Sequence, residues 1–314
     1  MFGRAAAMSR NFLLALAALT LAASQAGAAE PLRMCLDDSA PPFSFNADGK
    51  TGGFDLALAQ AIAGKLDRSL SVQWFSTEDQ PEAGKETKTS VAALLADGRC
   101  ALAGAYPLLA DALGGELADA GHLPRYKGGT REDRRRSIPL NPLKATAPFI
   151  YTAPTVVLGP TASAATIHTL ADLDGVRIGV EQSSVADIIL MLYEHNRLLP
   201  QLHHVPPGSG LLERLDAGEY DAVLVDLHRF DGYRVTHPTN ALRPSGYLHP
   251  AGFNLGFVGL TRQADLIYAV DAMIGQWLRD GTIERTAANA GLTYLPPRDP
   301  PVRPSLSLQD LARE

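Results

Sequence analysis

From Leu32 the chain alternates, with Leu32, Met34 and Leu36 apolar around Arg33 and Cys35, which predicts a short strand. Asp37-Asp38-Ser39-Ala40-Pro41-Pro42 breaks it, because neither proline can donate a ladder hydrogen bond. Asn46-Ala47-Asp48-Gly49-Lys50 is turn chemistry, and Gly52-Gly53 allows a second tight bend. From Phe54 the apolar residues Leu56, Ala59, Ile62 and Ala63 take helical spacing, with Asp55 placed to favour the helix N-terminus. Strand, polar turn and helix begin an α/β unit, and open α/β sheets bind ligands at the ends of such strands.

The pattern continues in the same style. Ser69 to Phe75 alternates like a strand, Ser76 to Thr89 reads as a polar loop, and Val91, Leu94 and Leu95 mark a short helix ended by Gly98. Cys100 to Gly104 and Val176 to Val180 are strand-like, and Glu181-Gln182-Ser183-Ser184 opens a helix through Leu192. Ser183 and Ser184 are good caps, and free N–H groups there can hold an anionic or polar group; a cap without a ligand is the plain alternative. Tyr220 to Asp226 is a near-continuous apolar run, suited to a parallel strand buried on both faces, with Asp226 at its C-terminal end. Asp265 to Leu278 is amphipathic, and Trp277 reads as core.

Two segments depart from this rhythm. Leu113 to Pro142 reads as an insertion rich in Gly and charge, holding Arg125, Lys127, Arg131, Arg134, Arg135 and Arg136. It reads as a solvated surface excursion, with an arginine folding into the site or a contact to an acidic partner as alternatives. Pro296 to Pro304 is proline-rich, and residues 296–314 read as a mobile tail.

The 314 residues suffice for two lobes, each with a core, and 46% hydrophobic with 20% charged content is ordinary for a globular protein. A net charge of −6 gives no reason to expect nucleic acid as a partner. Residues 1–28 read as a signal peptide: Arg4 and Arg10, an apolar run from Phe12 to Ala23, and Ala26-Gly27-Ala28 as cleavage site. A retained membrane anchor is the alternative. Export makes the two cysteines informative, since thiols in an oxidising compartment pair by default. A Cys35–Cys100 disulfide would add roughly 4 kcal/mol on the chain-entropy model; two buried free thiols are the alternative, and two cysteines make no metal site.

PPFSF-NADGKTGGFDLALAQAIA resembles the opening of the periplasmic solute-binding proteins of family 3, two-lobed receptors most of which feed ABC importers for amino acids and other small polar solutes. Ala147-Pro-Phe-Ile-Tyr151, Thr169-Leu-Ala-Asp-Leu-Asp-Gly175, the Tyr220–Asp226 strand, Asn254 to Leu260 and Arg279 to Glu284 resemble further landmarks in the family's order. The resemblance implies an α/β fold with two lobes, residues 30–152 with 252–295 and residues 153–251, joined by two crossing strands. It implies a ligand between the lobes, held by Asp37, Phe43, Tyr106, Ser183, Ser184 and Asp226. The position that carries a carboxylate-clamping arginine in amino-acid receptors falls on Ala112, which argues against a plain α-amino acid.

The expected protein is therefore a periplasmic receptor and a monomer, without cofactor or metal, whose partners are a small-molecule ligand and an ABC permease. The cysteines in LRMC and GRC also resemble an accessory branch of this fold found with periplasmic quinoprotein alcohol dehydrogenases, which would make a dehydrogenase the partner. A periplasmic dehydratase or lyase is the remaining class, with Glu181 as the acid/base and no recognisable second group.

Overall fold

The computed structural model describes residues 30–77, 85–115, 119–162 and 166–314; the predicted signal peptide lies outside them. Pro31 to Glu314 forms one compact unit built on two mixed sheets. No helix among the described residues is long and apolar enough to cross a membrane.

The first sheet starts with β1 (Leu32–Asp37), which leads through the Pro41-Pro42 turn to α1 (Phe54–Lys65). β2 (Leu70–Ser76), α2 (Lys85–Ala96) and β3 (Leu102–Pro107) follow. β1 lies between β2 and β3 and parallel to both, so it is buried on both faces: Leu32 and Met34 pack under α1, and Cys35 packs into the core on the opposite face. The loop expected over Ser76–Thr89 is thus shorter than predicted, since α2 already begins at Lys85; residues 78–84 lie outside the described ones. Asp55 also differs from expectation. It sits in the first turn of α1 but is 2% exposed, and burial raises its carboxyl well above the usual range, which works against a charge aiding the helix dipole. Gly104 allows this, because a Cβ there would lie 2.3 Å from Asp55 Oδ2.

The segment predicted as a structureless insertion is ordered wherever it is described. β4 (Arg125–Tyr126) pairs antiparallel with the end of β2, and α3 (Arg131–Arg135) carries a reciprocal Thr130–Asp133 capping box. β5 (Leu143–Ala145) and β6 (Ile150–Thr152) bring the chain back to the sheet, both antiparallel to the later β12 (Phe253–Leu260). Two cores sandwich the sheet: Phe54, Phe149 and Phe257 on the α1 side, and Leu94, Leu108 and Val258 on the α2 side.

After Ala153 the chain enters the second sheet. Its elements are β7 (Pro154–Leu158), β8 (Ile178–Glu181), α4 (Val185–Leu192), β9 (Leu202–Val205), α5 (Leu211–Asp216), β10 (Ala222–Asp226), α6 (Leu227–Thr236) and β11 (Arg243–Leu248). The order is β9-β8-β10-β7-β11, and the apolar run of β10 is central and buried as the sequence predicts. β12 then returns to the first sheet, and α7 (Ala264–Arg279) and α8 (Thr282–Ala290) cover it, with Trp277 in the core.

The chain does not end in a mobile tail. Residues 296–304 run along the crossing strands, and α9 (Leu308–Leu311) buries Leu311 in the second lobe's core. Proline content misled here: it excludes regular strand and helix but not a packed extended segment whose carbonyls find other donors.

Candidate functional site

Between the lobes lies a cavity of about 640 Å³. Ser39 to Pro41 and Phe43 form one wall, from the turn after β1. The other wall is the start of α6, with Asp226, His228 and Arg229, together with Glu213 of α5.

Asp226 ends β10 and caps α6: its Oδ1 accepts from the His228 and Arg229 N–H groups at 2.9 and 3.3 Å. Its Oδ2 accepts from Thr152 Oγ1 at 2.7 Å, so the carboxylate is tied to the first crossing strand. Arg229 makes a two-pronged pair with Glu181 at the end of β8, both contacts at 2.6 Å. Burial pushes the Glu181 carboxyl up, but the Arg229 hydrogen bonds and charge and the Gly208 N–H outweigh it and hold the group below its ordinary range. Glu181 is therefore an ionised partner of arginine, a poor starting point for an acid/base.

Helix α6 is pressed onto the first lobe. A Cβ on Gly232 would lie 2.2 Å from the Pro41 carbonyl oxygen, so only glycine lets the helix approach that closely. Phe43 meets the His228 ring edge to face at 5.0 Å. The Asp231 carboxylate, fully buried, accepts from Thr293 N–H and Oγ1 at 2.7 and 2.8 Å. Burial raises the Asp231 carboxyl, although these bonds pull it back.

Of the six residues predicted for the site, Phe43 and Asp226 line this cavity and four do not. Asp37 binds its own turn, accepting from Ser39 N–H and Oγ at 2.9 Å and from Thr77 Oγ1. Asp37 and Asp226, both expected to hold the ligand, thus do not line this cavity together. Tyr106 is 2% exposed and donates to the Ala112 carbonyl at 2.8 Å, a core contact across the turn where an arginine was expected and missing. Ser184 caps α4 by accepting from Asp187 N–H, and Ser183 N–H donates to Asp187 Oδ2 at 2.8 Å. That helix start already holds an anion of its own, Asp187, which also meets His204 Nε2 at 2.9 Å. Arg125, Arg131, Arg134, Arg135 and Arg136 do not line the cavity either; Arg136 instead pairs with Asp97 at 2.8 Å.

Sequence reasoning missed Glu213, His228 and Arg229. The signal was present in LHRFDGYRVT, which follows Asp226 directly: an Asp before a helical run is an N-cap, and the first turn of that helix must face the strand ends. The expected disulfide is present. Cys35 on β1 and Cys100 just before β3 are bonded, with Cα atoms 5.5 Å apart, joining adjacent parallel strands. Among the described residues no group of three or more metal-ligating side chains converges.

No protein-family model matches the sequence, and no curated protein matches it. Solved structures do. The second substrate-binding domain of a putative amino acid ABC transporter from Streptococcus pneumoniae superposes with a TM-score of 0.59 at 15% identity, over 83% of this chain and 100% of that one. The L-cystine solute receptor of Neisseria gonorrhoeae, unliganded and open, gives 0.56 at 16% identity, over 86% and 96%. A histidine kinase sensor domain similar to periplasmic binding proteins gives 0.51 at 17% identity, over 85% and 98%. At these identities the likeness speaks for architecture, and with two sheets exchanging the chain through crossing strands it shows that this protein has the two-lobed α/β fold of the periplasmic solute-binding proteins.

Proposed function

We propose that the protein is a periplasmic receptor that captures a small polar solute between its lobes and delivers it to an ABC importer. The solute is cationic or rich in hydroxyls rather than a plain α-amino acid. The observation that carries this reading is the charge balance of the inter-lobe cavity. Glu213 and Asp226 line it against one guanidinium, Arg229, which Glu181 already neutralises. A cation gains Coulomb energy there, whereas a carboxylate meets no free guanidinium. Ala112, where amino-acid receptors of the resembled family carry their clamp, is buried with its carbonyl bonded to Tyr106. The S. pneumoniae and N. gonorrhoeae structures are named as a domain of a putative amino acid ABC transporter and as an L-cystine solute receptor, which favours import as the setting and leaves the solute to this chain's own residues.

A thermal-shift and calorimetric screen of the mature chain against amines, polyols and amino acids tests this. Amine or polyol binding that weakens at least tenfold in Glu213→Gln, with amino acids inert, is the expected result. Tight binding of a plain amino acid, indifferent to that change, would sink it.

One observation favours a second reading, service to a partner such as a periplasmic dehydrogenase. The charged groups at the strand ends and the start of α4 are satisfied within the chain: Asp226 by Thr152, Glu181 by Arg229, and Asp187 by the Ser183 N–H and His204 Nε2. A pull-down with the mature chain as bait separates the two, a permease supporting import and a dehydrogenase supporting the accessory role.

A further inference from the structure

We propose that residues 296–314 are a brace that fixes the angle between the lobes, so that solute enters a preformed cavity instead of driving a wide closure. The inference does not depend on which solute the cavity takes. A receptor of this architecture needs only two strands between its lobes, here β6 to β7 through Ala153 and β11 to β12 through residues 249–252. The segment after 296 adds a third connection, and its contacts pass from the first lobe and the crossings to the second lobe.

It is anchored first on β12. Asn254 Nδ2 donates to the carbonyls of Arg298, Pro300 and Pro301 at 2.7, 3.2 and 3.1 Å, and Oδ1 accepts from Arg298 N–H at 2.9 Å. Asn254 is 3% exposed, so releasing the segment would strand a buried amide. The Arg298 guanidinium lies 4.2 Å over the Tyr151 ring of the other crossing strand. Arg303 is the next anchor. Its N–H donates to Leu108 O and its carbonyl accepts from Ala110 N–H, both at 2.9 Å, which extends the first lobe. Its Nη1 donates to the carbonyls of Pro250 and Gly252 at 2.9 and 2.7 Å, which pins the second crossing.

Beyond Arg303 the segment changes lobes. Leu306 packs against the cores of both lobes, and Leu311, 6% exposed, completes the second lobe's core beside Tyr247 and Ala251. Asp310 closes the capping box of α9 with Ser307 and also reaches Arg303 Nη2 at 3.4 Å, linking the two anchors. The Glu314 carboxylate accepts from Leu170 N–H in the second lobe. Prolines at 296, 297, 300, 301 and 304 stiffen the span, so little conformational entropy is lost by holding it in place. Hinge rotation would have to pull Leu311 from its core or part Arg303 from the crossing; the two cannot both stay seated while the lobes swing.

Inter-lobe distances test the brace. Fluorophores attached through non-natural residues at Lys65 and Ala217, on opposite lobes, are read by single-molecule energy transfer in the mature chain and in Arg303→Ala and Leu311→Ser. The expected result is one narrow distance in the parent chain and a broadened or lengthened one in both variants, with near-native far-ultraviolet dichroism. A parent distribution already broad, or variants as narrow as the parent, overturns the proposal. Should both variants unfold, hydrogen exchange of the unaltered chain decides. Amides of Ala110 and Arg303 exchanging as slowly as those of β12 support the brace, and exchange at the rate of exposed loops overturns it.

Discussion

The two lobes reach order by different routes. The first is stapled covalently across its central strands by Cys35–Cys100 and builds both cores from residues between Leu32 and Leu292 with little outside help. The second holds no cysteine among its residues and instead takes Leu311 from a segment that leaves the first lobe. A crosslink acts on the unfolded chain, whereas a borrowed leucine acts only while the segment stays docked. The first lobe is therefore the scaffold, and the second is stable to the degree that the brace remains in place.

Removing the staple gives the largest expected effect. Cys35→Ser with Cys100→Ser, or reduction under mild denaturant, should cost about 2–5 kcal/mol. Denaturant melts followed by Trp74 and Trp277 fluorescence, both tryptophans lying in the first lobe, would show it. A second-lobe probe that shifts as far as the tryptophans would break the comparison. Leu311→Ala comes next, at about 2 kcal/mol, near the low end for a core leucine because α9 can detach locally. Hydrogen exchange should rise in α4 and β11 and stay unchanged in β1.

Glu181→Gln has a smaller effect, about 1 kcal/mol at pH 7, discounted because the Arg229 side chain is 45% exposed. Its sign with pH is fixed. A carboxyl held below its ordinary range contributes above that range, and the contribution is lost as pH falls through the lowered value. Parent and variant stabilities should thus converge in acid and part as pH rises through the glutamate range. Asp231 works oppositely: its raised carboxyl favours the fold below the ordinary aspartate range and weighs against it as pH rises through the raised value. Arg134→Ala with Arg135→Ala should change stability by less than about 0.5 kcal/mol, because both side chains are exposed on α3. A larger change in melting would give the insertion a structural part that its contacts do not suggest.

These differences mark what was legible in the sequence. Alternation around Met34, the apolar run to Asp226 and the helical spacing after Phe54 report burial on a face, and burial on a face determines strand and helix. Site residues obey no such period. Tyr106 and Ser184 were plausible ligands by position, yet each satisfies a backbone group of its own lobe, at Ala112 and Asp187. Which partner a polar side chain takes is decided in three dimensions, after the sheets have formed. The brace was illegible for a related reason, since Arg303 meets Gly252 across 51 residues and Arg298 meets Asn254 across 44, through contacts that leave no pattern along the chain.

The short pairing of Arg125–Tyr126 on β2 has one more consequence. Without it the strand carrying Trp74 and Phe75 would offer a bare row of backbone donors and acceptors. Tyr126 takes the place beside Phe75, Lys127 N–H donates to the Trp74 carbonyl, and the Gln73 amide reaches the Lys127 carbonyl. With charged Arg125 and Lys127 at this margin, the C-terminal end of β2 is covered and does not present an open edge there for strand-to-strand pairing.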